Sequence, residues 1–250
     1  MWWWRDTIRT AGEAAIDVGF TDNVGGFSDG PLRSLNLGGK VGDDPDRVLR
    51  NRSAVAAAAG VADDRLVFMQ QSHSTRVATY RTGAAGPIDA DGVVTAEQGT
   101  ALAVLVADCT PILLADPAAG VVGAVHAGRP GMVGRIVDNA LDAMATLGGA
   151  NPVAIVGPSV CGRCYEVPLE MREDAAAVTP ASRAVSWAGT PAIDVAAGVV
   201  AQLAARDVPV TWVPGCTRES DRLFSYRRDH SAGRFAGVIV QRDQDASFDV

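Results

Sequence analysis

One cysteine and two histidines, Cys109, His126 and His73, are the residue types in this chain best suited to chemistry. Cys109 sits in Ala107-Asp108-Cys109-Thr110-Pro111, and His126 in Val125-His126-Ala127-Gly128. A thiolate with two imidazoles is a borderline-soft donor set suited to zinc, and three protein ligands leave a fourth position for water or substrate, the form of a catalytic site. The spacing matches no short zinc-finger pattern. Without a metal, the same atoms form a nucleophile and its base. Cys109 would attack, His126 would move the proton, and Asp108 or Gln71 would orient the imidazole, giving acyl transfer or deamidation. Both readings require Cys109 and His126 side by side, so the sequence leaves both open, next to a third in which the thiol is inert and the histidines are ordinary hydrogen-bonded residues.

Two further groups have chemical potential. Cys161-Gly162-Arg163-Cys164 has the C-x-x-C form of a redox pair or half a zinc knuckle, but only Cys216 remains and no second pair completes it, so two buried or partly buried thiols are expected there. Residues 216–229 are rich in arginine. Arg52, Arg129, Arg227 and Arg228 are candidates to grip a phosphate or carboxylate bidentately if they turn inward, and solvated surface charges if they do not. Tyr226 could lie over a planar base or simply fill space.

The elements that must position these groups are legible in part. Asp44-Pro45 is a cap followed by a first-turn proline, Val48, Arg52 and Val55 recur at helical spacing, and Gly60 stops the run. Thr190-Pro191 through Ala204 repeats that design, and Val133 to Leu147 carries an apolar stripe ending before Gly148-Gly149. Short apolar strands are expected at Leu66 to Met69, Ala101 to Val106, Ile112 to Ala115, Val121 to Val125, Val153 to Val156, Val210 to Val213 and Phe235 to Val240. A hairpin is expected around Asp116-Pro117. The alternation of strands and helices without a break or repeat favours an α/β or α+β layered domain over a regular barrel. His73, Cys109 and His126 each follow a strand, and the crevice outside strand carboxyl ends is where such sheets bind ligands.

Composition narrows the function classes. The chain has 250 residues, 48% hydrophobic and 20% charged, enough for a substantial core without disulfides and far from the signature of disorder. Its net charge of -7 argues against a nucleic-acid partner, whose grip depends on many basic contacts. No apolar run is long enough to cross a bilayer, and the opening Met1-Trp2-Trp3-Trp4-Arg5 lacks the layout of a signal peptide, so a cytoplasmic monomer with reduced thiols and no membrane partner is expected. Charge blocks are confined to Arg227-Arg228 and the polar tail from Arg242.

An ordered set of motifs then resembles one family. It comprises Ser34-Leu35-Asn36-Leu37-Gly38 with Val41-Gly42-Asp43-Asp44 and Asn51-Arg52; Gln70-Gln71-Ser72-His73; Asp89-Ala90-Asp91-Gly92; Ala107 to Pro111; His126-Ala127-Gly128; Gly157-Pro158-Ser159 with Cys164-Tyr165-Glu166-Val167; and Phe224 to Arg228 with Gly233-Arg234. The set, spread over nearly the whole chain, is similar to the bacterial purine nucleoside phosphorylase family formerly called polyphenol oxidase or laccase-domain proteins, also known as peptidoglycan editing factor-like proteins. The resemblance implies a single domain over residues 1–250. It also implies a layered sandwich with a mixed sheet flanked by helices, resembling the cysteine-dependent deamidase toxin fold.

The resemblance further implies zinc on His73, Cys109 and His126, with Asp108 beside them. A purine nucleoside (adenosine, inosine or methylthioadenosine) and inorganic phosphate are the implied partners, held by Asn36, Arg52, Arg129 and Arg228. The activity it implies is a transferase, a zinc-dependent phosphorylase releasing base and ribose 1-phosphate, with adenosine deamination as a hydrolase side activity. The rivals are a metal-free cysteine hydrolase or amidase using Cys109 and His126 on a cell-wall peptide, and a nucleoside-binding protein without turnover. Three histidines are too few for the multicopper cluster of the older family label. The chain departs from the family where His-Ala-Gly is usually followed by Trp-Arg-Gly. Here Arg129-Pro130-Gly131 removes the aromatic wall, shifts the arginine and takes away a backbone donor.

Overall fold

The computed structural model describes residues 1–9, 15–83 and 86–242. The polar tail therefore lies outside the described residues beyond Arg242. In chain order the strands are β1 (Trp2–Ile8), β2 (Ile16–Thr21), β3 (Leu66–Phe68), β4 (Val77–Thr79), β5 (Gly92–Thr95), β6 (Ala101–Val106), β7 (Thr110–Asp116), β8 (Val121–Ala127), β9 (Val153–Val156), β10 (Arg183–Val185), β11 (Pro191–Ile193), β12 (Val210–Trp212) and β13 (Phe235–Gln241). The helices are α1 (Pro45–Ala58), α2 (Arg129–Val133), α3 (Ile136–Thr146), α4 (Leu169–Val178) and α5 (Val195–Ala204).

Two mixed sheets carry the fold. One runs in the order β1-β2-β13-β6-β3, antiparallel except for the β3–β6 pair. The other runs β12-β9-β7-β8-β5-β4, with parallel pairs only at its two edges. Strands β10 and β11 form a separate antiparallel pair.

Side-chain alternation assigns the faces. Along β7, Leu113 and Ala115 point between the sheets, where they meet Phe20, Leu102, Val104 and Phe235. Ile112 and Leu114 point the other way, onto Met132, Ile136, Val137, Ala140 and Val199 of α2, α3 and α5. On the outer face of the first sheet, Ala103, Ala236 and Val238 meet Val55 and Ala56 of α1. The order is thus helix, sheet, sheet, helices, and strands covered on both faces become the continuous apolar runs that made β6 and β9 readable.

The caps behave largely as expected. Asp44 accepts the Asp46 N–H at 2.9 Å and Pro45 opens α1. The hairpin forms, with Asp116 opposite Val121. Two expectations are corrected. The stripe from Val133 to Leu147 is broken after α2, because Arg135 adopts a left-handed φ of 60° and caps a new helix. Thr190-Pro191 does not open α5. Pro191 pairs with Val185 on the small two-stranded ribbon, where its missing N–H costs nothing, and Asp194 caps the helix by accepting the Ala197 N–H at 2.9 Å.

Candidate functional site

The site is organised around Asp91, immediately before β5. Its carboxylate is buried and accepts main-chain N–H groups from Ser72 (3.2 Å), His73 (3.0 Å) and Ser74 (2.7 Å), the Ser74 hydroxyl (2.7 Å), and Nδ1 of His126 (2.8 Å). The His126 N–H also donates to the Asp91 carbonyl at 2.7 Å. One carboxylate thus folds the 72–74 loop, holds His73 at a left-handed φ of 62°, and fixes the His126 ring. Burial alone would raise its pKa, but the bonds from His126, Ser74 and Ser72 hold it well below the usual carboxylate range.

His126 lies inside β8, one residue from its end, rather than beyond the strand as the sequence suggested. With Nδ1 committed to Asp91, Nε2 is left for the thiol. Cys109, in the turn between β6 and β7, places Sγ 3.5 Å from Nε2 of His73. The two imidazoles meet edge to face with centroids 4.8 Å apart. One donor atom from each of His73, Cys109 and His126 lies within 4.8 Å of the others, with His126 buried, Cys109 half-buried and His73 exposed. Gly128 makes room for the cluster. A Cβ there would stand 2.6 Å from Cδ2 of His73 and 3.2 Å from the Cys109 sulfur.

The electrostatics pair the thiol with an imidazole. Burial pushes the Cys109 thiol up, but the charge and hydrogen bond of His126, followed by those of His73, override it and bring it down to about 6. Burial likewise works against the His126 cation, yet the Cys109 thiolate and then Asp91 raise it to about 9. The pair therefore favours thiolate and imidazolium together.

The remaining sequence candidates lie elsewhere. Asp108 faces neither imidazole. Its carboxylate accepts the Thr217 hydroxyl at 2.6 Å and the Arg227 N–H at 2.7 Å, tying distant loops to the residue before Cys109. Gln71 is locked onto Leu105 by bonds of 2.7 and 2.9 Å. Arg52 donates twice to the Leu37 carbonyl, at 3.0 and 2.8 Å, and lies over Phe68. Asn36 bonds Gly38, Asp43 and the Arg234 N–H. Arg228 spreads its guanidinium over the carbonyls of Thr217, Ser220 and Leu223 at 2.7–2.8 Å. Arg227 lies over the Tyr165 ring. Arg129 is half-buried at the start of α2. Pro130 occupies the first turn of that helix, where no N–H partner is needed, so the missing backbone donor costs the helix nothing.

Sequence reasoning gave Asp91 no role, although it stood in the Asp89-Ala90-Asp91-Gly92 motif directly before an apolar strand. Arg234 was also passed over. It is half-buried, and the loss of water around it lowers its pKa, while the charges of Cys109 and Asp108 work to raise it.

Comparison with known proteins adds kinship. The family described as multi-copper polyphenol oxidoreductase laccase matches residues 17–242. A purine nucleoside phosphorylase of Streptomyces coelicolor is 53% identical over 241 residues, which cover 94% of this chain and 97% of that one. Among solved structures, YlmD from Geobacillus stearothermophilus superposes with a TM-score of 0.85 at 28% identity, covering 95% of this chain and 99% of its own. A Neisseria meningitidis protein does so with 0.84 at 31%, covering 96% and 99%.

The expectation of a zinc-dependent purine nucleoside phosphorylase, with adenosine deamination as a side activity and with nucleoside and inorganic phosphate as partners, is corrected at this point. Of Asn36, Arg52, Arg129 and Arg228, the side chains assigned to nucleoside and phosphate, Asn36, Arg52 and Arg228 are spent on main-chain carbonyls and loop anchoring, so these three assemble no clamp. The structure instead concentrates a cysteine and two histidines, one oriented by a buried aspartate, in a fold shared with YlmD and the laccase-like family, and that constellation points to cysteine- and histidine-based hydrolysis. The name of the Streptomyces relative stays with that protein. Among the described residues no helix is long and apolar enough to cross a membrane.

Proposed function

The chain belongs to the family described as multi-copper polyphenol oxidoreductase laccase, and from that premise we propose that it is a hydrolase of amide bonds in peptide-like substrates, with Cys109 as nucleophile and His126 as its acid–base partner. The observation that carries this reading is the line from Asp91 through Nδ1 of His126, at 2.8 Å, to the Cys109 thiol, an orienter, a base and a nucleophile in order. The thiolate attacks the substrate carbonyl carbon, and the imidazolium of His126 passes its proton to the departing amine. His126, now neutral, takes a proton from water, whose oxygen attacks the thioester, releasing the acid and restoring the thiolate–imidazolium pair. Asp91 keeps the ring in one tautomer throughout, and the exposed His73 stands beside the thiol. Asp108 is a positioning residue, holding the turn before Cys109 against Thr217 and Arg227.

The donor set also fits zinc. A thiolate and two imidazoles suit it, and the Asp91 carboxylate on the far nitrogen of His126 is the arrangement that steadies a metal-binding histidine. Bound by His73, Cys109 and His126, zinc would supply a Lewis acid that polarises the substrate carbonyl. Three histidines fall short of a copper cluster, and His230 stands apart against Tyr226. This reading carries with it a single domain over residues 1–250, the likeness to cysteine-dependent deamidase toxins, and a reducing, cytoplasmic setting in which Cys109 stays a thiol.

The test is a panel of N-acyl amino acids, short peptides and cell-wall peptides incubated with wild type, Cys109→Ala and His126→Gln, each with and without chelator, scoring amine and ammonia release. Wild type should release amine and Cys109→Ala should release none. Turnover that survives chelation and leaves an acyl adduct on Cys109 identifies the thiol route, whereas turnover abolished by chelation and restored by zinc identifies the metal route. Product formation unchanged in Cys109→Ala would overturn the proposal.

A further inference from the structure

Cys161 and Cys164 were expected to be two buried or partly buried thiols, with only Cys216 left and no second pair to complete the motif. The structure completes that pair with Cys216 and Glu219. The thiols of Cys161, Cys164 and Cys216 and a carboxylate oxygen of Glu219 all lie within 4.8 Å of one another. The spacing is regular, since Cys161-x-x-Cys164 faces Cys216-x-x-Glu219, so each half is a two-ligand turn. In the first turn, the N–H groups of Cys164 and Tyr165 both donate to the Cys161 carbonyl, at 2.9 and 3.1 Å. In the second, those of Glu219 and Ser220 both donate to the Cys216 carbonyl, at 3.2 and 3.0 Å. The turns are joined at their roots by the bridge between Ser159 and Cys216, with the Thr217 N–H on the Ser159 carbonyl at 3.1 Å. Two such knuckles facing each other are the layout of a closed four-ligand metal site.

From this geometry we propose that Cys161, Cys164, Cys216 and Glu219 form a second metal site, structural in role, which takes a thiolate-preferring divalent cation such as zinc. The surroundings suit such an ion. The Trp187 indole N–H donates to Glu219 at 3.0 Å and the Cys164 thiol to the same oxygen at 3.3 Å, so the carboxylate is already aimed at the sulfurs. Arg163 lies over the Trp187 ring and Arg218 reaches the Cys164 carbonyl, placing two cations beside a ligand set of excess negative charge. Glu219 and Trp187 are exposed, which leaves a path for the ion from solvent. Four protein ligands leave no open position, so the role is to staple rather than to react. What is stapled is definite. The Val160 N–H donates to the Asp108 carbonyl at 2.9 Å and the Thr217 hydroxyl to its carboxylate at 2.6 Å, so both knuckles are rooted next to the residue that precedes Cys109. This proposal stands independently of the hydrolase reading.

The experiment counts metal in the Cys109→Ala background, which removes the other cluster from the tally. Protein purified under reductant, loaded with zinc and desalted is analysed by elemental mass spectrometry, then repeated with cobalt for absorption spectra. Cys109→Ala should retain one zinc equivalent, and its cobalt form should show sulfur-to-cobalt charge transfer with intense tetrahedral bands. Adding Cys161→Ser and Glu219→Ala, at a half-buried and an exposed position, should abolish both signals with the far-UV circular dichroism unchanged. Zinc should also raise the melting temperature of Cys109→Ala and not that of the triple variant. Failure of Cys109→Ala to hold zinc, an unchanged zinc content in the triple variant, or thiols found as a disulfide by intact mass under the same reducing conditions would overturn the proposal.

Discussion

Cys109 can be interrogated without any substrate, because its ionisation shows directly in its reactivity. Folded, the thiol is brought down to about 6 from the 9.0 of a free thiol, and the partner imidazole is raised to about 9. Thiolate therefore appears as pH rises through about 6, and the imidazolium that stabilises it is lost as pH rises through about 9, so the ion pair occupies the window between them. In chelator-treated protein the rate of iodoacetamide alkylation at Cys109 should rise with a midpoint near pH 6. His126→Gln, which removes the cation, should move that midpoint up by about two pH units and so slow alkylation at neutral pH about tenfold. A wild-type midpoint near that of a free thiol would show that the pair does not form.

Residue types made Cys109, His73 and His126 conspicuous in the sequence, because few residues can do what they do. Asp91 was hidden because nothing in the linear order separates it from Asp89, two positions earlier. Folding alone divides them, sending Asp89 to a surface pair with Arg76 and Asp91 into the interior to gather three loop N–H groups and a ring nitrogen.

At the scale of elements, the junction of β8 and α2 decides whether the three side chains can meet. Gly128 ends the strand at an ordinary negative φ, so its role is steric rather than conformational. Gly128→Ala would drive a methyl into the space of the His73 ring and the Cys109 sulfur. His73 is exposed and can move aside, so stability should fall by no more than about 1 kcal/mol in urea titration, while zinc retained by the His73, Cys109 and His126 cluster and the low alkylation midpoint of Cys109 should both be lost. A Gly128→Ala variant that keeps both would show that the cluster does not depend on this close approach. The same scale explains which elements were legible. β6 and β9 are buried on both faces and announce themselves as unbroken apolar runs, whereas β4, β10 and β11 are three residues long and partly exposed, too short to show a period. Pro191 was ambiguous for a physical reason, since a fixed φ serves a first helical turn and an edge strand equally well.

At the scale of the whole molecule, the cluster is mounted on the seam between the two sheets. Phe20 of β2 is fully buried, and its ring occupies the space that a side chain at Gly157, just past β9, would need. The Gly157 N–H donates to the Pro111 carbonyl at 2.9 Å, and Pro111 is paired with His126 across β7 and β8. The sheet-to-sheet contact and the strand that carries His126 thus belong to one hydrogen-bonded framework. No local pattern in the sequence reports this contact, because it joins residues far apart in the chain through an aromatic ring and a missing side chain. It can be measured as a coupling. Phe20→Ala should cost about 3–5 kcal/mol by emptying the seam, and Gly157→Ala about 1–3 kcal/mol by overfilling it. In the double variant the added methyl enters the space the ring has left, so the combined loss in urea titrations should fall short of the sum by about 1 kcal/mol or more. Simple additivity would mean that the sheets are spaced by other contacts and that Gly157 is small for the sake of its own strand end.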